Sequence, residues 1–293
     1  MDVVFSMLRR DEIDEAVAFI VRQNRDPEHR VTYLGTESDD VRNALLEDLT
    51  DLPAEQAILL GRIDGRLAAL WGVEYDAPRG KGYSWGPFVD HDDWLLVARL
   101  MWDELLRVMP DSLVWMQLAF DSRNQLAVQL AESLGFARRR VDHLLLRLER
   151  ANHRAGEHED LIEVGPEQKA KLGALHDELF PSTYFDGAEL GSRLCDTRKA
   201  FVNEQVTGYV YGEVKPEIGF GGVDFVGVDE AARGSGLAGR LLNRILTWVF
   251  SHPAIPAVEL TVADGNPAER IYARAGFERQ LRIVAFERTI IRE

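Results

Sequence analysis

Two stretches of this chain carry the same landmarks in the same order, and this repeat restricts the possible folds more than any other feature. The landmarks are an aromatic–glycine pair, an asparagine and a glycine–phenylalanine pair, found at Trp71-Gly72 and Tyr211-Gly212, at Asn124 and Asn266, and at Gly135-Phe136 and Gly276-Phe277. Their offsets are 140, 142 and 141 residues. So constant an offset indicates two copies of one folding unit. The polar segment Arg150–Asp160 between them is typical of a linker, so we expect domains at residues 1–150 and 160–293.

The hydrophobic pattern of the second copy predicts an α/β fold, with helices packed on a mixed α+β sheet. The expected strands are Lys199–Val202, Gln205–Val214, Gly222–Asp229, Val258–Val262 and Arg282–Thr289, and the expected helices are Leu237–Phe250 and Pro267–Ala275. The longer helix has one apolar stripe at helical spacing. Asn266 is suited to cap the shorter helix, and Gly276 to end it. The element order β-β-β-α-β-α-β therefore suits a sheet covered by helices.

A glycine-rich turn joins the third strand of this copy to its long helix. Glycines let a ligand approach the backbone, and the first N–H groups of a helix attract an anion such as pyrophosphate. The turn also spells G-x-G-x-x-G at Gly234, Gly236 and Gly239, with Glu259 twenty residues later, which is the dinucleotide-binding pattern. Five residues separate the strand from the first glycine, and Glu259 falls near the start of its strand. Both features disfavour the dinucleotide interpretation.

Two motifs of the second copy resemble those of the GNAT superfamily of N-acetyltransferases. Arg233-Gly-Ser-Gly236-Leu-Ala238 resembles the pyrophosphate loop R/Q-x-x-G-x-G/A. Asn266, Ala268, Tyr272 and Gly276-Phe277 resemble the signature N-x-A-x-x-x-Y-x-x-x-G-F, at a typical separation from the loop. The resemblance implies two tandem GNAT-type acyl-CoA N-acyltransferase domains, in a layout similar to that of mycothiol synthase. It also implies acetyl-CoA as co-substrate and direct transfer of its acetyl group to an amine in a ternary complex.

The resemblance assigns roles to individual residues. The expected cofactor-binding residues are Val226, Gly227, Val228, Arg233, Gly234, Ser235, Gly236, Leu237, Ala238 and Asn266. The turn would bind the CoA pyrophosphate, while a bulge at Gly227 would separate neighbouring strands and admit the pantetheine arm. Tyr272 would protonate the thiolate leaving group as a general acid.

The acceptor side is less clearly marked. Asp224, Glu213 and Glu259 all remain possible general bases, with Asp224 placed on the strand that would carry the bulge. Phe180, Tyr184 and Phe185 would form an apolar wall for the acceptor, with Asp177, Glu178 or Asp186 pairing its ammonium; alternatively, this segment is a helix packed on the sheet. The lone Cys195 is expected to be a buried, inert thiol. His153 and His158 are expected to be solvated, and no metal site is expected.

The first copy departs from the motif. Asp90, Asp92 and Asp93 replace the glycine turn and would repel pyrophosphate, and Leu130 stands at the position of Tyr272. We therefore expect a degenerate GNAT-like domain that supports the fold and lines the acceptor pocket, and an acetyl-CoA-binding, catalytic second domain. A fused repeat can also replace a dimer partner, which leaves a monomer with an internal pseudo-dimer or a homodimer as expectations.

The charge and hydropathy of the chain limit the kinds of partner that it is expected to bind. The formal net charge is −15, and both halves are acidic, which argues against nucleic acid. No apolar run reaches the length of a membrane span, and the N-terminal region turns acidic at once, so we expect a cytoplasmic enzyme. The expected acceptor is the primary amine of a small molecule. A protein N-acetyltransferase and a non-catalytic acyl-CoA-binding or scaffold protein remain alternatives.

Overall fold

The computed structural model describes residues 2–156, 158–181, 183 and 185–291. The chain forms two compact units. Unit 1 comprises Met1–His143 together with Leu281–Glu293, and unit 2 comprises Leu144–Gln280. These bounds differ from the expected 1–150 and 160–293, because the boundary falls ahead of the supposed linker and the C-terminal strand belongs to unit 1.

Unit 1 is built on a mixed sheet. Its elements up to residue 143 are β1 (Val4–Met7), α1 (Ile13–Asn24), α2 (Ser38–Asn43), α3 (Ala54–Ala57), β2 (Ile58–Ile63), β3 (Arg66–Asp76), β4 (Lys81–Val89), α4 (Trp94–Val108), β5 (Trp115–Asp121), α5 (Gln125–Ser133) and β6 (Ala137–Arg138). The strands β1-β2-β3-β4 are antiparallel neighbours, and β4 pairs with β5 in parallel. The buried apolar stripe of α4 packs on this sheet, as the 3.6-residue periodicity predicts.

Unit 2 repeats this architecture. Its elements are β7 (His143–Glu149), β8 (Leu161–Glu163), α6 (Lys169–Leu179), α7 (Gly187–Arg193), β9 (Arg198–Asn203), β10 (Gly208–Lys215), β11 (Phe220–Val228), α8 (Leu237–Phe250), β12 (Ala257–Ala263), α9 (Glu269–Ala275) and the start of β13 (Glu278–Thr289). The sheet order is β7-β12-β11-β10-β9-β8, with β11 and β12 parallel. The mixed α/β class is confirmed, and α8 has the predicted bounds. Helix α9 begins two residues later than expected.

The last strand of each repeat lies in the unit of the other repeat. From β7, Leu144, Leu146 and Leu148 enter the core beside α8 in unit 2. From β13, Val284 and Phe286 enter the core of unit 1, where the strand pairs with β5. The expected strand Arg282–Thr289 exists, but it completes the sheet of unit 1. Sequence periodicity cannot reveal such an exchange, because both destinations bury the same apolar face.

The two units repeat the same order of elements, but the aromatic–glycine pairs of the two copies do not occupy equivalent positions. The hairpin turns after β3 and β10 end at Gly80 and Gly219, which both have left-handed backbone and lie 139 residues apart. With this offset Trp71-Gly72 and Tyr211-Gly212 are not equivalent. The Trp71 ring lies 5.6 Å from Trp102 of α4, whereas Tyr211 faces away from α8, towards Phe225. A shift of one residue along a strand moves a side chain to the opposite face.

The supposed linker is an ordered part of unit 2. The Arg150 guanidinium donates to the backbone oxygens of Phe250, His252 and Ile255 at 2.5–2.8 Å. It also lies 5.0 Å from the centre of the Phe250 ring. A cation that binds the free carbonyls after a helix stabilises that end. Arg150 therefore fastens the segment to the C-terminal end of α8.

Candidate functional site

The turn between β11 and α8 presents a row of free backbone donors. Gly234 and Gly236 have φ values of 82° and 80°, and Gly236 is the N-cap of α8. In this turn, the backbone N–H groups of Gly234, Ser235, Gly236, Ala238 and Gly239 make no hydrogen bond to any residue that the structure describes. No atom lies within 4 Å of an ideal Cβ at either positive-φ glycine. The exposed turn thus offers the geometry of an anion site at a helix N-terminus.

Side chains shape this turn from within. The Ser235 hydroxyl donates to the Ala232 oxygen at 2.7 Å and lies 3.4 Å from the Leu237 nitrogen. Arg233 Nε donates to the Val228 oxygen at 3.3 Å, which ties its exposed side chain to the end of β11. The predicted cofactor-binding residues from Val226 to Ala238 are therefore brought together around one turn. Their binding of a cofactor stays a prediction.

The strands beside this turn diverge, as the resemblance implies, but the bulge lies elsewhere than predicted. Among the described residues, β11 pairs with β12 only at Gly222–Glu259. On its other side β11 pairs Phe225 with Tyr211 and Val223 with Gly212, so Asp224 is the extra residue of a β-bulge. Gly227 pairs regularly with Tyr209. The prediction of a bulge at Gly227 was therefore wrong.

Gly227 has a different structural reason to be glycine. An ideal Cβ there would lie 2.8 Å from both Leu179 Cδ1 and Tyr209 Cε1, and 3.0 Å from Phe180 Cε2. The end of α6 thus packs directly on the backbone of β11. This close approach fixes where α6 ends next to the open edge of the strand.

Tyr272 lies on α9 in the core of unit 2, with 8% of its surface exposed. Burial raises the pKa of Tyr272 to about 12, so the phenol is protonated at neutral pH. Its hydroxyl makes no hydrogen bond to any residue that the structure describes. Asn266 is exposed, and its Oδ1 accepts from the Ala268 nitrogen at 2.9 Å. Asn266 therefore caps the turn before α9, while Ala268 is the N-cap of the helix itself.

The three candidate bases stand in different surroundings. Glu213 accepts from Arg198 Nε at 3.0 Å, and Glu259 is 2.8 Å from Arg147. Both carboxylates are therefore already engaged by a guanidinium. Asp224 is exposed at the bulge. Its exposed position on β11 favours Asp224 among the three candidates.

The predicted acceptor wall is largely part of the core. Phe185 is 5% exposed and packs with Phe225, 5.2 Å between ring centres. Phe180 is half-buried, 5.1 Å from Phe225. Tyr184 lies outside the described residues. Phe180 and Phe185 thus hold α6 on the sheet, and the helix-packing alternative describes them better than an open wall does.

The centre of this ring cluster is His176, which the sequence analysis did not assign. His176 is fully buried, with Nε2 3.0 Å from the Phe185 oxygen and Nδ1 2.6 Å from the Tyr209 hydroxyl. Because a carbonyl only accepts, Nε2 carries a hydrogen and donates to the Phe185 oxygen, while Nδ1 shares a second hydrogen bond with the Tyr209 hydroxyl. The sequence offered one signal for this cluster. Tyr209, Tyr211 and Glu213 occupy every second position of β10, which places their side chains on one face of the sheet.

Two smaller expectations were wrong. Cys195 is exposed, with Sγ 3.4 Å from Thr197 Oγ1, and this hydrogen bond lowers the pKa of the thiol. His158 is hydrogen-bonded to Asn243 at 3.2 Å, and the His153 ring lies tilted against Phe250, with 5.0 Å between the ring centres. Burial lowers the pKa of His153. Among the described residues, no three His, Cys, Asp or Glu side chains lie close enough together to hold a metal ion.

Unit 1 has no equivalent of the glycine turn. Asp90 forms a 2.8 Å ion pair with Arg22, and α4 begins directly after Asp93. Leu130 was the wrong counterpart of Tyr272, because the Phe136 and Phe277 N–H groups donate to the oxygens of Ala131 and Tyr272 at the two helix ends. The buried Ala131 therefore stands at the position of Tyr272, and it also carries no proton donor. Asn124 is buried and accepts from the Ala127 nitrogen at 3.1 Å, so it acts as a helix cap.

A pocket of about 540 Å³ in unit 2 lies beside α8 and the end of α9. Its lining includes Asn243, Arg154 and Arg274. Neither arginine side chain forms an ion pair with a described residue. Asn243 is six residues beyond Leu237, about 9 Å along the helix from the glycine turn.

Comparison with known proteins relates this chain to acetyltransferases. Residues 162–277 match the model of the acetyltransferase (GNAT) family. A GCN5-related N-acetyltransferase from Sphaerobacter thermophilus has a TM-score of 0.73 at 20% identity, with 98% of this chain and 95% of that chain covered. A tandem GNAT protein from the clavulanic acid biosynthesis pathway has a TM-score of 0.70 at 15% identity, with both chains fully covered. Comparison with curated protein sequences gives no match.

These comparisons define a GNAT-superfamily acetyltransferase fold with a tandem layout. The family match covers unit 2 from β8 to the start of β13, including the glycine turn and Tyr272. The family match is confined to that domain, whereas the full-length structural matches show the same fold over both units. No helix among the described residues is long and apolar enough to cross a membrane.

Proposed function

We propose that unit 2 transfers the acetyl group of acetyl-CoA to the primary amine of a small molecule, by direct attack in a ternary complex. The observation that carries this proposal is the row of unbonded N–H groups from Gly234 to Gly239 at the start of α8. These donors face solvent without an acceptor, and a pyrophosphate supplies acceptors together with negative charge.

The rest of the cofactor would follow the open edge of β11. Beyond Gly222 the strand separates from β12, so its backbone groups on that side can pair with the pantetheine arm. A backbone N–H of Val226, Gly227 or Val228 would polarise the thioester carbonyl. Arg154 and Arg274 offer positive charge for the phosphate of the adenosine end. Bound acetyl-CoA supplies the activated acyl group, and these residues hold it in place.

Tyr272 would donate its phenolic hydrogen to the leaving thiolate. The hydroxyl has no competing acceptor among the described residues, and its pKa of about 12 keeps it protonated. A thiol has a pKa of about 8–9, so full transfer from this phenol is uphill. Tyr272 would therefore act chiefly by a hydrogen bond that strengthens as charge develops on sulfur.

Asp224 would accept the proton of the acceptor amine, directly or through water. An ammonium with a pKa near 10 must lose a proton before it attacks. Asp224 is exposed at the bulge of β11, and burial together with the charge of Asp224 raises the pKa of Tyr211. The acidic surroundings suit a cationic acceptor.

An amine-acceptor screen with acetyl-CoA, read by release of free thiol, tests the proposal. Release that depends on a small-molecule amine supports acetyl transfer. Calorimetric binding of acetyl-CoA without release, for small amines and peptide amines alike, would favour a non-catalytic acyl-CoA-binding protein. Release with peptide amines alone would favour a protein N-acetyltransferase.

A further inference from the structure

The sheet face that α6 and α7 cover in unit 2 changes from apolar to charged along its strands. Beneath the helices, Val202 of β9 and Tyr209 of β10 belong to one buried cluster. Further along the same two strands, Arg198 stands opposite Glu213. Tyr211 lies at the boundary, since alternate residues of a strand share a face. A side chain placed there can keep its ring in the core and its polar end beside the charges.

The Tyr211 ring is packed, but its hydroxyl is not bonded. The residue is 2% exposed, and its ring centre lies 5.9 Å from that of Phe185 and 6.4 Å from that of Phe225. The hydroxyl makes no hydrogen bond to any residue that the structure describes, yet it is not sealed from solvent. Burial is the main cause that raises the pKa of Tyr211, so the hydroxyl keeps its proton at neutral pH. It is therefore a fixed donor without an acceptor.

Arg198 offers further donors beside this hydroxyl. Its guanidinium donates through Nε to Glu213 at 3.0 Å, and its two terminal nitrogens make no hydrogen bond to a residue that the structure describes. Against the effect of burial, the charge of Arg198 lowers the pKa of Tyr211, so the two groups lie near each other. A guanidinium has five N–H donors and can bind a carboxylate through two of them. Arg198 can therefore hold Glu213 and a second carboxylate together.

A negative charge stands on the neighbouring strand. Asp224 is exposed at the bulge of β11, directly before Phe225, which pairs with Tyr211. After burial, the charge of Asp224 is the largest cause that raises the pKa of Tyr211, which places this carboxylate close to the hydroxyl. Free donors for a carboxylate and an acceptor for an ammonium group thus lie side by side. We call Tyr211, Arg198 and Asp224 the Tyr211 site.

The Tyr211 hydroxyl has no counterpart at the matching position of unit 1. At the offset of 139 residues set by the hairpin turns, Gly72 stands where unit 2 has Tyr211. The free donor therefore occurs in the unit that also has the glycine turn. This distribution favours a role in the activity of unit 2 over a role in the fold that both units share.

We propose that the Tyr211 site binds an amino acid as the acetyl acceptor, with its carboxylate on the Tyr211 hydroxyl and the terminal nitrogens of Arg198. Its ammonium group faces Asp224. This proposal rests on the acetyl transfer proposed for unit 2 and names the class of acceptor. In that transfer the nitrogen–acetyl bond forms and the carbon–sulfur bond of the thioester breaks, while one amine proton goes to Asp224 and another to the sulfur.

The test titrates the common L-amino acids, one at a time, into the full-length protein with CoA present, by isothermal calorimetry. At least one amino acid should bind saturably. Its carboxamide, which keeps the ammonium group and lacks the carboxylate, should bind about 10- to 150-fold more weakly, the range for a hydrogen bond to a charged group. Tyr211→Phe should weaken binding of the amino acid by a similar factor and affect its carboxamide less. Tyr75→Phe, the same change in unit 1, should leave the affinity unaltered.

The melting temperature separates this role from a structural one. Tyr211→Phe should melt as the wild type does, because the lost hydroxyl has no partner in the free protein. Tyr209→Phe loses the hydrogen bond to His176 and should melt at a lower temperature. Where Tyr211→Phe does not fold, Arg198→Lys takes its place in the titration, because it keeps the charge beside Glu213 and removes the forked donors.

The proposal is overturned if no amino acid binds saturably, if the carboxamide binds equally well, or if Tyr211→Phe binds as the wild type does. A melting temperature lowered as much by Tyr211→Phe as by Tyr209→Phe overturns it too. Binding without release of thiol from acetyl-CoA would refute acetyl transfer and support the binding site. Thiol release that is as fast with methylamine as with the amino acid would support acetyl transfer and refute the site.

Discussion

Replacing Gly236 with alanine perturbs the glycine turn at the N-cap of α8. The residue has a φ of 80°, a conformation that costs a side chain with a Cβ about 1–2 kcal/mol. No heavy atom lies within 4 Å of an ideal Cβ, so this cost comes from the backbone and not from a clash. We expect the free energy of unfolding of Gly236→Ala to fall by about 1–2 kcal/mol, which a domain of this size tolerates.

The effect on CoA binding should be larger. The new methyl group would occupy open space where the pyrophosphate is proposed to lie, and the strained turn would misdirect its N–H groups. Each hydrogen bond to a charged group contributes about 1.5–3 kcal/mol. Loss of one such bond raises the dissociation constant of CoA by about 10- to 150-fold.

Gly239 provides a matched control within the same glycine pattern. It lies inside α8, its φ is not positive, and its ideal Cβ also meets no atom within 4 Å. Gly239→Ala should raise the free energy of unfolding by up to about 1 kcal/mol, because alanine is the better helix former. Its CoA affinity should stay close to that of the wild type.

Isothermal titration with CoA, together with urea unfolding of each variant, measures both quantities. The reasoning fails if folded Gly236→Ala binds CoA as tightly as the wild type. It fails equally if Gly239→Ala loses as much affinity, because the positive φ of Gly236 would then not be the cause.

Three further outcomes are expected. Tyr272→Phe should lower kcat by about 10²-fold, the lower end of the range for positioned proton transfer, because a phenol with a pKa of about 12 is a weak acid. A kcat at saturating acetyl-CoA within about twofold of wild type would show that Tyr272 contributes only packing. Calorimetry should give one acetyl-CoA per chain, and two equivalent sites would refute the argument from the missing turn in unit 1. The rate of Cys195 alkylation by iodoacetamide should rise with pH with a midpoint below the ordinary thiol pKa of about 8.5. Thr197→Ala should move that midpoint upwards, because the thiolate loses its hydrogen bond. An unchanged midpoint would show that this hydrogen bond does not lower the pKa.

Local features of the fold were predictable from the sequence. The apolar stripe of Leu237–Phe250 and the glycine before it determine α8 by themselves, so its bounds agree with the prediction. The positive φ values of Gly234 and Gly276 likewise follow from glycine at a turn and at a helix end. These elements depend on contacts between residues that are close in sequence, so the sequence alone is enough to predict them.

Features that depend on distant segments escaped prediction. The sequence analysis placed the bulge at Gly227, because glycine often marks a bulge. The pairing with β10 shows that the extra residue is Asp224. Phe185 was assigned to an acceptor wall, yet it packs around His176, which the sequence shows merely as one polar residue on α6. The exposure of Cys195 depends on the edge bridge that it forms with Arg198. None of these contacts has a signature in local composition.

The placement of β7 makes a prediction about fragments of the chain. Leu144, Leu146 and Leu148 are 0–4% exposed in the core of unit 2, although they precede the segment expected to separate the domains. Full burial of three leucines contributes roughly 5–9 kcal/mol, comparable with the roughly 5–15 kcal/mol that stabilises a whole domain. A fragment 144–280 should therefore unfold cooperatively, whereas a fragment 150–280, which keeps Arg150 but lacks β7, should bind a hydrophobic dye and melt without a sharp transition. Equal melting temperatures for the two fragments would show that unit 2 does not need β7. The expected difference would mean that the first repeat contributes an essential strand to unit 2, which gives a physical reason to keep that repeat although it lacks the glycine turn.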